Sequence, residues 1–570
     1  MAIQNRFKRN SAKRIALFRG LPSYAISGVL AIGVWPGFAR PLSSELQAQA
    51  PIASQKVATL PPQSSNRGLS EAVKDILDSS RAASPELHAL ALLLLTESNQ
   101  NLGRGLKLKL SREAFDAAAT VSAPVRKVPD VSMLTTDSDA GKSMASYSLN
   151  LDRLSLQSRA IANIAALDPA AARTMLDGLS LPEMPPVGCT QALVYRTSSY
   201  YDVLKTLALD KKANLKDSKD TTEEILYPAV GNLQTHTQVG LAMELLAKSE
   251  LSKDQLESLT GTLVGQLNHL RSDERGFAAE IASRKGIVSS VELYRALEKS
   301  DPGSGAPLLR EFRQYLIDNY KVGGCGALWI QYQFDDTRTG LTVHSQELRT
   351  PDKTGNKTLP DAIQKFNDEF QDALGRTKLD PIAVQDIDAD VPVVKADVHD
   401  YWSDPESKAF LTAAQQLRFN ENDQVRTLSE RESPEWRAQV VSYLGKIDDW
   451  VADPFQSTEV FNEKLELYTG IINLTTLDDL KWLAVERSLS MLQNSSIESE
   501  NPAQWLWGVM SLQLRVSTLV GDREYKRLGR NADFTGQLVN SKNRSLHLIG
   551  MLESLHLDPF NSKETGIPLP

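Results

Sequence analysis

The sequence predicts an all-α protein: an irregular, solenoid-like array of helical hairpins in two lobes, joined by a small non-helical connector. Three observations carry this. Leu256, Leu259, Leu263, Leu267 and Leu270 recur at three- and four-residue spacing, the period that places apolar side chains on one helix face. Leu309-Phe312-Leu316-Tyr320 and Phe461-Leu465-Tyr468-Ile472 repeat the pattern on either side of the middle, each able to bury one face against a neighbouring helix. Finally, a capping residue precedes proline at Ser84-Pro85, Asp168-Pro169, Asp301-Pro302, Asp404-Pro405, Ser433-Pro434, Asp453-Pro454 and Asn501-Pro502. The Ser, Asp or Asn oxygen accepts an orphan amide of the first turn, and proline sits where no intrahelical bond is lost. These starts are 20 to 133 residues apart, so no fixed-period repeat is present.

In chain order, residues 1–39 read as a secretory signal. Arg6, Lys8, Arg9, Lys13, Arg14 and Arg19 precede a charge-free run from 20 to 39, and the small residues Gly37 and Ala39 offer a cleavage site. A second site at Ala48-Gln49-Ala50 is followed by Pro51, which makes it the poorer substrate. The rival reading is an uncleaved anchor, since the run is about long enough to span a bilayer. Pro22, Pro36, Gly28, Gly33 and Gly37 weigh against it. Lipidation would need a cysteine just after the apolar run, and the first is Cys189.

Residues 40–68 are rich in Pro, Gln, Ser and Ala and read as a flexible tether. A first helical lobe is expected over 69–320, an irregular connector over 321–400, a second lobe over 401–556 and a tail over 557–570. Ser252 and Gln255 cap the leucine stripe of the first lobe. In the connector, Leu328, Ile330, Tyr332 and Phe334 alternate with other residues, as do Leu341 and Val343 after the turn at 335–340, the spacing of a β-hairpin. Helical spacing returns over 361–374.

The chain has 63 basic and 71 acidic residues, a formal charge of −8; losing the six basic residues of 1–39 takes this to −14. Nucleic acid is not expected as a partner, because neutralising a phosphate backbone needs a basic stripe. The partner expected is a protein or a cell-envelope ligand, with no membrane span left once the signal is cleaved. No cofactor is expected.

Two cysteines in an oxidising compartment make a single Cys189–Cys325 bridge the natural expectation, closing a loop that contributes up to about 5 kcal/mol. Metal binding through cysteine is excluded by the count, and His547 and His556, the closest histidine pair, are nine residues apart. The acidic run Asp386, Asp388, Asp390 and Asp397 imitates a calcium loop, with Val391 where a tight loop needs glycine. A solvated acidic connector is the competing explanation. Gly141-Lys142-Ser143 ends like a phosphate loop, but Thr136 replaces the earlier glycine, and Asp137 and Asp139 would repel a phosphate. Asp448-Asp449-Trp450 is the one place where acids and an aromatic meet, and it fits a tryptophan packed at a helix end. No Gly-x-Ser-x-Gly, His-Glu-x-x-His or Cys-x-x-Cys occurs, which removes the most readable hydrolase, metalloprotease and redox signatures.

Two resemblances complete the reading. Glu97-Ser98 at a helix end resembles the start of the catalytic motif of lytic transglycosylases, but the glycine and methionine-glutamine turn are missing after Gly103-Arg104-Gly105. The anchors Tyr401-Trp402-Ser403-Asp404-Pro405, Leu417-Arg418-Phe419, Ser433-Pro434-Glu435-Trp436 and Asn501-Pro502-Ala503-Gln504-Trp505, together with 167–189 and its Pro182, Pro185 and Pro186, resemble a group of uncharacterised exported helical bacterial proteins. That resemblance implies export and helical architecture, and no catalytic residue. The function expected is an exported, non-catalytic scaffold or binding protein; the alternative is a hydrolase or lyase acting on cell wall or polysaccharide through scattered carboxylates.

Overall fold

A computed structural model describes residues 70–98, 102–121, 127–129, 149–179, 181, 183–184, 191–193, 196–209, 222–270, 277, 284–322, 330–336, 341–347, 361–387, 394–397, 405–420, 422, 424–450, 458–521, 530–557 and 559. The expected signal (1–39) and tether (40–68), Cys189, Cys325, Asp388, Asp390 and the 136–143 run lie outside them.

The chain is predominantly helical, as predicted. It opens with α1 (Glu71–Ser80), α2 (Pro85–Glu97) and α3 (Arg104–Ala119), followed by α4 (Arg153–Ala165), α5 (Pro169–Asp177), α6 (Thr197–Leu209), α7 (Thr222–Gly231), α8 (Val239–Lys248), α9 (Lys253–Leu267), α10 (Lys285–Ser300) and α11 (Ala306–Val322). Next come α12 (Asp361–Glu369), α13 (Gln371–Thr377) and α14 (Val384–Ile387). The C-terminal part holds α15 (Pro405–Arg418), α16 (Leu428–Arg431), α17 (Pro434–Asp449), α18 (Thr458–Leu474), α19 (Asp478–Asn494), α20 (Ile497–Glu500), α21 (Pro502–Gly521), α22 (Arg530–Val539) and α23 (Arg544–Ser554).

Five of the seven cap-proline signals stand at described helix starts. Ser84 accepts from Leu87 N, Asp168 from Ala171 N at 3.1 Å, and Ser433 from Trp436 N at 3.1 Å. Asn501 Oδ1 accepts from Gln504 N at 3.3 Å, and α15 begins at Pro405. Asp301-Pro302 is the exception, and the expectation of a helix start there is corrected. Asp301 closes α10 instead, its N–H donating to Leu297 O, and Glu298 Oε1 accepts from both Gly303 N and Gly305 N. Gly303 turns at φ +96°, a conformation that favours glycine, and α11 starts only at Ala306. Asp453-Pro454 lies outside the described residues.

One core runs from α4 to α13. Leu256, Leu259, Leu263 and Leu267 are buried in it with Leu309, Phe312 and Leu316, and Leu270 packs partly buried against them. Ile363, Phe366, Phe370 and Leu374 of α12 and α13 belong to the same core. Beyond it, Phe461, Leu465, Tyr468 and Ile472 are buried on α18, and two indoles tie helices together. Trp436 Nε1 donates to Leu417 O at 2.9 Å, and Trp505 Nε1 to Leu492 O at 3.0 Å. Each bond satisfies a carbonyl at the end of a helix that has no intrahelical donor.

Packing order differs from chain order. Helix α1 packs against both α2 and α23, burying Val73, Ile76 and Leu77, so the C-terminal helices join the array at its N-terminal end. The expected hairpin forms: β3 (Ile330–Asp336) pairs antiparallel with β4 (Leu341–Glu347), Phe334 opposite Val343. A third strand, β5 (Val394–Asp397), adds parallel to β3, with Ile330 opposite Val394. A separate two-stranded pair joins β1 (Lys127–Pro129) to β2 (Gln191–Leu193).

Candidate functional site

The candidate site is a groove of about 680 Å³ among the end of α5, α6, the end of α7 and the end of α9. Its apolar surface comes from Leu179, Leu181, Met184 and Leu233, and its polar groups include Tyr200, Asn232, Gln234, Gln266 and His269. Local chemistry shapes the walls. Pro228 sits inside α7, where proline lacks the N–H that would bond to the preceding turn, and α7 ends three residues later. The chain then runs to Thr235, whose side chain forms a capping box with Gln238. Gln238 Oε1 accepts from Gln234 N at 2.8 Å and Thr235 N at 3.0 Å. Gln234 Oε1 in turn accepts from Met184 N at 2.9 Å, which ties the two walls together.

Just past Gln234 the chain enters a buried aromatic cluster. His236 Nδ1 lies 2.8 Å from Tyr315 Oη, and the imidazole, Phe277 and Tyr315 pack as an aromatic cluster. Burial brings the His236 pKa down to about 4, so the ring is neutral at neutral pH. Tyr201 donates to Ala229 O at 2.9 Å and fastens α6 to α7. Its neighbour Tyr200 is only 5% exposed, and among the described residues its hydroxyl has no hydrogen-bond partner. Burial pushes the Tyr200 pKa up to about 12, with Arg173 lowering and Asp177 raising it, so the phenol keeps its proton and acts as a donor. One turn before the lining residue Gly231, Tyr227 is 54% exposed. A Cβ placed at Gly231 would meet its Cε1 at 3.4 Å, so the ring lies beside Gly231.

Such a surface can hydrogen-bond and stack. Among the described lining residues the carboxylate is Glu183. No family model, no curated protein and no solved structure matches this chain.

The residues singled out in the sequence fall elsewhere. Asp386 lies on α14, its carboxylate accepting from Ala383 N at 3.2 Å and standing 3.6 Å from Arg313. Asp397 lies on β5, paired in register with Gln333. Among the described residues no group of three or more His, Cys, Asp or Glu is placed to hold a metal. Glu97 ends α2 and is held by Arg159 Nε at 2.7 Å and Asn163 Nδ2 at 2.9 Å, an ion-paired tie between α2 and α4.

Asp448 accepts from Tyr468 Oη at 2.7 Å and pairs with Arg487 at 3.0 Å. Burial first, then the bond to Asp448, pushes the Tyr468 pKa up. Trp450 packs on Phe410 with centroids 4.6 Å apart, the helix-end packing expected from the sequence. Tyr200, Tyr227, Gln234 and Gln266 were not legible as a set. The available signal was Tyr227-Pro228 inside a helix, an aromatic beside a residue that breaks backbone bonding.

Proposed function

We propose that the protein is exported and acts as a non-catalytic helical binding protein, with the groove among α5, α6, α7 and α9 as its ligand site. The observation that carries this reading is the convergence of Tyr200, Asn232, Gln234 and Gln266 on one groove beside Leu179, Leu181, Met184 and Leu233. A site built from a few convergent polar groups on an apolar floor is the usual form of a ligand pocket. Export is supported by the basic and apolar segments of 1–39, and by the resemblance to exported helical proteins. No described helix is long and apolar enough to cross a membrane.

Two measurements test the reading. The N-terminus of protein recovered outside the cytoplasm should lie near Arg40; mature cytoplasmic protein retaining 1–39 would end the export proposal. Cell-envelope fractions should be retained by the immobilised wild type and released by Tyr227→Ala, without soluble products forming. Equal retention by both proteins would remove the groove, and product release would remove the non-catalytic reading. In the exported protein, Cys189 and Cys325 form a bridge under this proposal. Alkylation of the unreduced, denatured chain should then label neither thiol, and labelling of both would refute it.

A further inference from the structure

We infer that the ligand of this groove is an uncharged, N-acetylated oligosaccharide. The inference rests on the binding reading above and goes further in naming the chemical class. Three features of the groove point to it.

The first is charge. Among the described lining residues, Glu183 and His269 are those able to carry one, while the other acceptors and donors are side-chain amides and a phenol. Phosphate or polyanionic ligands are held by arginine or lysine, and neither is among the described lining residues.

The second is the pairing of apolar and amide surface. Leu179, Leu181, Met184 and Leu233 form apolar floor and wall beside Asn232, Gln234 and Gln266. The Gln234 carbonyl oxygen is already engaged by Met184 N, whereas its Nε2 has no partner among the described residues and is left as a donor. An acetamido group presents the complement in one substituent: a methyl for the apolar surface, a carbonyl to accept and an N–H to donate. Sugar hydroxyls both donate and accept, and so can satisfy the amides and the Tyr200 proton.

The third is an exposed ring. The exposed Tyr227 ring beside Gly231 offers an apolar face with a polar tip, onto which the C–H face of a pyranose ring can pack. A peptide in extended conformation is bound characteristically along a sheet edge, and the groove is lined by helix ends and loops. A peptide is therefore the less favoured occupant.

Calorimetry on the mature protein tests the class directly, with tetra-N-acetylchitotetraose as the probe. Binding is expected at a Kd of about 1 mM or tighter. Tyr200→Phe should weaken it about fivefold by removing one hydrogen bond from a site that keeps its shape, and Tyr227→Ala about tenfold by removing the exposed ring. Both variants should keep the wild-type circular dichroism spectrum. The fully de-N-acetylated tetramer, which lacks the acetamide, should bind at least about tenfold more weakly.

Absence of binding, equal affinity for the two tetramers, or affinity unchanged in both variants would overturn the inference. Preferential binding of a neutral peptide such as Gly-Ala-Gly-Ala amide, lost in Tyr227→Ala, would overturn the saccharide class while leaving the binding reading in place. Cleavage of the tetramer during titration, read by chromatography, would do the reverse: the class would stand and the non-catalytic reading would fall.

Discussion

The α4–α13 core and the α15–α23 region use their polar side chains differently. In the α4–α13 core, Tyr200, Asn232, Gln234 and Gln266 line a groove, and His236 and Tyr315 pair in the buried core. In α15–α23 several polar groups tie helices together. Trp436 and Trp505 each donate to a helix-end carbonyl, and Gln504 Nε2 donates to Asn462 Oδ1 at 2.6 Å. Glu498 joins α20 to α23 by accepting from Asn543 Nδ2 at 2.6 Å and from Ser545 Oγ. A buried donor that already has a partner adds rigidity. The same helical architecture thus lines a groove in one region and cross-braces its helices in the other.

The largest expected effect breaks the brace. Trp505→Ala removes a fully buried indole and leaves the Leu492 carbonyl without its donor, a loss of about 3–5 kcal/mol. Urea unfolding read by tryptophan fluorescence checks it, and a loss below about 1 kcal/mol would show that the indole is not a tie.

Acid should act on the groove region instead. His236 has a folded pKa of about 4 against an ordinary 6.5. The unfolded chain therefore takes up the proton first, and stability falls as pH drops from 6.5 to 4, by about 3 kcal/mol in total. Glu244 opens a second, lower window. Burial raises its pKa, but hydrogen bonds and charge from Lys248 and Lys285 outweigh this and bring it down to about 2, so its contribution is lost as pH falls from about 4.5. Hydrogen exchange at pH 7 and pH 4 should show α8 and α11 losing protection before α19 and α21. Simultaneous loss in both regions would contradict the comparison.

Two glycines sharpen the contrast in packing. A Cβ at Gly550 would meet Val539 N at 2.5 Å and Leu538 Cβ at 2.7 Å, whereas one at Gly231 meets side-chain atoms no nearer than 3.4 Å. Gly550→Ala should therefore destabilise by about 1–3 kcal/mol through overpacking between α22 and α23. Gly231→Ala should shift the thermal midpoint far less, and the reverse order would overturn this reading of the two sites. The smallest effect is local: Ser433→Ala removes the cap that accepts from Trp436 N, at about 1 kcal/mol. Thermal unfolding should resolve that step, with Trp505→Ala as the reference for a large one.

Much of the fold was legible because its signals are local. A cap and a proline act within one turn, and a leucine stripe needs only the helical period, so α2, α5, α9, α17 and α21 follow from nearby residues. The β3–β4 hairpin was legible for the same reason, since its alternation and turn lie within eighteen residues, 330 to 347. Asp301-Pro302 misled because the Glu298 carboxylate captures the Gly303 and Gly305 amides, a contact that composition does not announce. The parallel addition of β5 joins residues more than fifty apart, and nothing in either segment states the pairing.

The sequence by itself determined the helical class, the helix starts marked by a cap and the hairpin, because each depends on hydrogen bonds and apolar periods among neighbours. Tertiary structure decided that α1 packs on α23, that α12 and α13 enter the α4–α13 core, and that Tyr200, Gln234 and Gln266 meet at one groove. Those outcomes depend on which buried faces match across long stretches of chain. A residue's own neighbours fix whether it is helical; only the folded packing fixes whether its last free hydrogen bond is met by the chain or left for a ligand.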